Sequence, residues 1–156
     1  MIITNVMRLL KQAGIPFETS EYEVDENDLS GLHVARQIGQ DPDTVFKTLV
    51  LKGEKKGYLV CCIPVCEELD LKKVAKAAGD KKVEMIPMKE LLPTTGYIRG
   101  GCSPVGMKKK YPTYLDETAV LWEEIAVSAG ARGHQMILPP EDLADLVNAE
   151  FMDITL

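Results

Sequence analysis

The segment 96–109, reading GYIRGGCSPVGMKK, gathers two adjacent glycines, a cysteine, a serine and a proline. Gly100 and Gly101 lack a Cβ, so their amides can approach a bound oxygen closely, and Pro104 fixes φ and stiffens the exit. Such a loop suits the presentation of backbone donors to a ligand, and the same composition also makes a tight turn. Lys47 stands inside the apolar run VFKTLVL at 45–51. Either its stem packs while the ammonium reaches water, or it places a fixed cation at a cleft edge, where it could hold a phosphate or charge developing on a carbonyl oxygen. Cys102, beside the glycines, has the residue type of a nucleophile and equally that of a thiol packed inside a loop. Ser103 and Ser128 lie outside any GxSxG elbow. Neither His33 nor His134 has a recognisable acidic partner in the sequence, so no nucleophilic triad is written in the chain.

These residues need a scaffold, and 156 residues suit one domain with an ordinary core. With 24 acidic against 18 basic residues the formal charge is −6, which argues against a protein that grips nucleic acid by itself. Two local basic stretches stand out in the acidic whole: Lys108 to Lys110, and Lys72, Lys73, Lys76, Lys81 and Lys82. The longest apolar run, 58–66, is broken by Pro64 and falls well short of the ~20 residues of a spanning helix. The N-terminus lacks the pattern of a secretory signal, so a cytoplasmic location is expected. Cys61, Cys62, Cys66 and Cys102 do not have zinc spacing and read as reduced thiols, the first two facing opposite ways on a strand.

Thr4 is placed to cap a helix whose Val6, Leu9, Leu10 and Ala13 share a face, ended by Gly14 and Pro16. An extended segment is expected at 17–24, an acidic loop at 25–28, and a short helix carrying Val34, Ala35 and Ile38 that closes at Gly39. After a turn at 41–44, the β-rich runs 45–52 and 57–64 predict a hairpin. Asp70 caps a helix bearing Leu71, Val74, Ala75 and Ala78, with Gly79 at its end. Then follow a short strand at 83–86, a helical turn at 89–92, and a strand at 97–99 that enters the glycine loop. Residues 114–115, 125–128 and 135–138 read as extended, Pro140 opens a last helix reaching about Asn148, and a short terminal strand follows. Helices interspersed with strands, some joined by hairpin links, predict one α/β domain over 1–156 with a mixed sheet. No Walker motif or GxGxxG follows any strand.

VFKTLVL at 45–51, LDLKKVAKAAGDKKVEM at 69–85, GYIRGGCSPVGMKK at 96–109 and VSAGARG at 127–133 resemble, in the same order, the YbaK (EbsC) proteins. These are free-standing relatives of the editing insertion domain of bacterial prolyl-tRNA synthetase. The resemblance covers nearly the whole chain. It implies a mixed, curved β-sheet surrounded by helices, and an aminoacyl-tRNA deacylase that removes cysteine mischarged onto the proline tRNA. It implies no cofactor and no metal. The partners it implies are the 3′-end of mischarged tRNA(Pro) and prolyl-tRNA synthetase. By motif, Lys47 and Thr48 match the active-site lysine and its neighbour. Gly100 and Gly101 open, and Pro104 closes, the GxxxP loop that brings Cys102 and Ser103 against the aminoacyl ester. Tyr22 matches a tyrosine of the pocket, and Ser128 with Gly130 lies in the VSxGxRG segment on its other side. One departure is that relatives carry a phenylalanine before the second helix, where this chain has Leu29 and Ser30.

In the chemistry the resemblance implies, the substrate's own thiol attacks its ester carbonyl and expels the tRNA 3′-end. Lys47 and the amides of Gly100 and Gly101 would stabilise the oxyanion, leaving Cys102 without a catalytic role. Two other readings stand beside it: a sister deacylase acting on another mischarged amino acid, such as alanine on tRNA(Pro), and a non-enzymatic accessory protein that binds a tRNA end or a nucleotide.

Overall fold

Thr4 both caps the first helix, α1 (Asn5–Gln12), and anchors it. Its Oγ1 accepts from the Met7 amide at 3.2 Å and donates to the Ala129 carbonyl at 2.6 Å, which ties the helix start to a strand 125 positions away. The computed structural model describes residues 2–156. The predicted hairpin forms from β2 (Phe46–Gly53) and β3 (Gly57–Pro64), paired in register from Phe46 with Pro64 to Gly53 with Gly57. Alternation along β3 sends Cys62 into the main core and Cys61 into a second core on the other face, as expected for neighbours on a strand.

The order of elements is α1, β1 (Glu18–Glu21), α2 (Gly31–Ile38), β2, β3, α3 (Leu71–Ala78), β4 (Val83–Met85), α4 (Met88–Thr95), β5 (Thr113–Asp116), β6 (Ile125–Ala131), β7 (His134–Leu138), α5 (Pro140–Val147) and β8 (Glu150–Met152). Short 3-10 turns lie at Pro42–Thr44 and Glu117–Leu121. Capping follows the sequence closely: Asp70 accepts from the amides of Lys72 and Lys73, and Gly79 and Gly39 close α3 and α2 in the left-handed conformation.

The α/β class and the mixed strand pairing are as expected, but the strands divide between two sheets. One has the order β4-β2-β3-β5-β8, with β5 parallel to both β3 and β8; the other is an antiparallel trio, β1-β7-β6. They meet where Val45, just before β2, bridges Ala126 of β6 in parallel. Between the sheets lies the main core, with Val6 and Leu10 of α1 against Val50, Val60, Val127, Met136 and Leu138. Helix α3 covers the outer face of the larger sheet, burying Val74 and Ala75 against Leu51, Leu59 and Ile63. Helix α2 sits over the seam between the sheets, Ala35 packing on Val45, Val65 and Ala126.

The expected strand at 97–99 does not form. The chain leaves α4 through Gly96 in the left-handed conformation, and the Tyr97 amide donates to Thr95 Oγ1 at 3.0 Å instead of to a ladder. Its ring reaches across the loop, where the hydroxyl donates to the Val105 carbonyl. The glycine segment is therefore a loop leaving a helix, stapled by side chains.

Candidate active site

A cavity of about 400 Å³ opens where the seam between the sheets runs out beneath the start of α2. Lys47 and Thr48 of β2, Gly100 and Cys102 of the loop, and Ser128 of β6 all line it, so folding unites three of the four sequence motifs. Leu29 and Ser30 line it as well. Ser30 caps α2 by accepting from the His33 amide at 3.3 Å, and Leu29 lies over Gly100, its Cδ2 3.7 Å from where a Cβ would stand. The leucine thus covers the loop at its glycine.

The electrostatics of the lining are one-sided. Its charged residues are Lys47 and Arg99, with no aspartate, glutamate or histidine among the described lining residues. Neither cation is in an ion pair with a described residue. Within a chain of net charge −6, this concavity is cationic, with no carboxylate or imidazole among its described lining residues to serve as a general base. The two histidines do have acidic neighbours, contrary to expectation: His33 lies 3.8 Å from Asp28 and His134 3.9 Å from Glu21. Both pairs are outside the lining. Among the described residues no group of three or more potential ligands is placed to hold a metal ion.

Cys102 is 9% exposed, and burial, reinforced by neighbouring Cys62, pushes its thiol up to about 12. At neutral pH it is almost wholly protonated and a poor nucleophile. Thr48 Oγ1 and Cys62 Sγ lie 3.6 Å apart behind the strand, which gives that threonine a packing partner of its own.

Other predicted site residues fall outside the lining. Gly101 is one: its amide donates to the Ile98 carbonyl at 3.0 Å, so this donor is consumed by a turn. Ser103 is fully buried, its Oγ accepting from the Val105 amide at 3.3 Å, and Pro104 is buried beside it. Tyr22 is half-buried beyond β1, its amide bonded to the Gly133 carbonyl at 2.9 Å. Gly130, at φ +92, is a glycine because a Cβ there would meet Val6 Cγ2 at 2.7 Å. Its role is to let α1 approach β6, and its amide donates to Ser128 Oγ at 3.2 Å. These residues shape the site from behind.

Two residues escaped the sequence reading. Arg132 Nε donates to the Arg99 carbonyl at 2.7 Å and fixes the loop from the β6–β7 turn. Gly100 holds φ +86 beneath that guanidinium, with Nε only 3.3 Å from the place of a Cβ. Gln135 lines the cavity opposite Ser128, its register partner across β6 and β7. The alternation of 135–138 put Gln135 on the same face as apolar Ile137, and that was the available signal.

The sequence profile of the aminoacyl-tRNA editing domain matches residues 32–146. EbsC of Enterococcus faecalis, whose name assigns it provisionally as a Cys-tRNA(Pro)/Cys-tRNA(Cys) deacylase, is 51% identical over 152 residues, spanning 97% of this chain and 93% of the relative. Two crystal structures share the fold. One is of a protein described as a candidate trans-editing enzyme for prolyl-tRNA synthetase, at TM-score 0.84 and 24% identity, covering 99% of each chain. The other, of a protein described only as hypothetical, has TM-score 0.89 and 19% identity, covering 98% of this chain and 100% of that one.

Proposed function

Since the chain belongs to the aminoacyl-tRNA editing domain family, we propose that it is a deacylase that clears cysteine from mischarged tRNA(Pro) in trans. The observation that carries this reading is the cavity's inventory: cations with no ion-pair partner among the described residues to meet an anionic tRNA end, and no carboxylate or imidazole among the described lining residues to activate water. A site without a base suits a substrate that brings its own nucleophile. The cysteinyl sulfur attacks the ester carbonyl carbon, the C–S bond forms as the bond to the ribose oxygen breaks, and the thiol proton ends on that oxygen. Positioning is then the main contribution of the protein, and a near-attack pose is worth about 7–11 kcal/mol at most. Lys47 and the Gly100 amide serve the oxyanion, the Gly101 amide being engaged elsewhere.

Prolyl-tRNA synthetase is the partner this reading names, because an acidic chain has little charge with which to hold a tRNA alone. A cytoplasmic location goes with that role, and among the described residues no helix is long and apolar enough to cross a membrane. Single-turnover deacylation of tRNA(Pro) charged with cysteine, alanine or proline tests the proposal. Cysteine should be cleared fastest, and clearance of alanine at the same rate would overturn it.

A further inference from the structure

Arg99 is an exposed arginine on a backbone held from two sides. The Gly101 amide donates to the Ile98 carbonyl at 3.0 Å, and Arg132 Nε donates to the carbonyl of Arg99 itself at 2.7 Å. That carbonyl carbon is bonded to the Cα from which the Arg99 side chain leaves. A single hydrogen bond therefore sets the Arg132 guanidinium at the root of a second arginine 33 positions away in sequence. Arg132 is half-buried, its stem lying along Gly100 with Cγ 3.5 Å from the place of a Cβ. The bond to Arg99 uses one of its five N–H donors and fixes the plane of the group.

Neither arginine is in an ion pair with a described residue. Asp28, which adjoins the lining residue Leu29, is engaged with its own segment. It accepts from the Ser30 amide at 3.1 Å and lies 3.8 Å from His33 and 4.0 Å from Arg36. Two like charges that the fold draws together, with no carboxylate paired to either, favour an anion that joins them. Arg99 is exposed and also lines the cavity, which puts it at the mouth, one residue outward from Gly100. In an aminoacyl-tRNA end the ester and the 5′-phosphodiester of the terminal nucleotide lie on opposite sides of one ribose.

Resting on the deacylase reading, which places the ester carbonyl at the Gly100 amide, we propose that Arg99 and Arg132 form a phosphodiester subsite at the mouth of the cavity. It takes the 5′-phosphate group of the terminal nucleotide, whose oxygens match the planar donor forks of guanidinium groups. With the phosphate held on one side of the ribose and the ester carbonyl on the other, the sugar is fixed. Esters that end a nucleic-acid chain are thereby preferred to esters that lack the phosphate.

The cysteinyl ester of adenosine, with and without a 5′-methylphosphate diester, isolates this contact. The parent should clear the phosphate-bearing ester with a kcat/KM about tenfold above the other, the low end for a hydrogen bond to a charged group because the mouth is open to water. In Arg99→Gln, whose backbone carbonyl still meets Arg132, that preference should collapse towards unity, and Arg99→Lys should restore part of it. A change that only loosened the loop would slow both esters and leave their ratio standing. A ratio near unity in the parent overturns the proposal. So does a parent ratio that persists in Arg99→Gln, which would give the phosphate to another cation such as Lys47. A parent inactive on cysteinyl-tRNA would sink the deacylase reading alone. In that case, or where the small esters turn over too slowly to follow, the subsite is read from the affinities of adenosine 5′-methylphosphate and adenosine. Equal affinities in the parent, or a difference unchanged in Arg99→Gln, reject it.

Discussion

Two concave regions of the protein make a contrast, and the larger of this pair lacks unmatched charge. A groove of about 540 Å³ runs along β4 and the start of α4, lined by Lys52, Lys82, Glu54, Glu84 and Glu90 among others. Its cations are spoken for: Lys82 pairs with Glu84 at 3.1 Å, and Lys52 lies 5.1 Å from the centre of the Tyr58 ring. Tyr58 in turn donates to Glu90 at 3.1 Å. The smaller cavity has two cations without a described carboxylate partner, a stapled loop and a buried amide. Volume alone would favour the groove, whereas unmatched charge and unpaired polar groups single out the cavity.

The largest effect that would sharpen this contrast is expected at Lys47. Lys47→Ala should lower kcat/KM on cysteinyl-tRNA by about 10²- to 10³-fold, the cost of one oxyanion donor, while thermal unfolding shifts little because the side chain is only partly buried. A variant as active as the parent would remove the lysine from the mechanism. Gly100→Ala comes next, since an alanine at φ +86 costs about 1–2 kcal/mol and presses on Arg132. Urea unfolding should register that loss, and deacylation should fall by about tenfold or more as the loop is displaced.

Cys102→Ala should leave activity within about twofold, with a stability loss of roughly 1 kcal/mol for the missing buried sulfur. Iodoacetamide at neutral pH should likewise spare activity, because burial keeps that thiol protonated. Loss of activity by several orders of magnitude in folded Cys102→Ala would instead point to covalent catalysis by the protein. Smallest of all is Lys82→Ala in the groove, where an exposed ion pair is worth about 1 kcal/mol or less and deacylation should not change.

Local rules carried much of this structure into the sequence. Thr4, Asp70, Gly39 and Gly79 are placed where helix ends need them, and the run of apolar residues through 46–64 writes a hairpin whose partner strand is close by. The division into two sheets was not legible, because β1 pairs with β7 more than a hundred positions away and no local pattern names a distant partner. Tyr97 and Ile98 have strand-like side chains, but bonds of Tyr97 within the loop, to Thr95 and Val105, overrode that preference. At the site, motifs identified Lys47, Thr48, Gly100 and Ser128 as neighbours. They could not distinguish an amide open to a ligand from one spent on a turn, as at Gly101, nor reveal that Arg132 holds the loop and that Gln135 lines the cavity, since both placements arise only on folding.

The central claim, that this cavity positions a substrate supplying its own nucleophile, is tested most directly by comparing tRNA(Pro) charged with cysteine, serine and S-methylcysteine under single-turnover conditions. A free thiol near pKa 8.5 is a few per cent ionised at neutral pH, whereas an alcohol is scarcely ionised and a thioether has no proton to lose. Cysteinyl-tRNA should therefore be cleared by about 10²-fold or more over the other two, with a rate that climbs with pH as the substrate thiol ionises. Comparable hydrolysis of all three would show that water is activated at the site and would contradict the account.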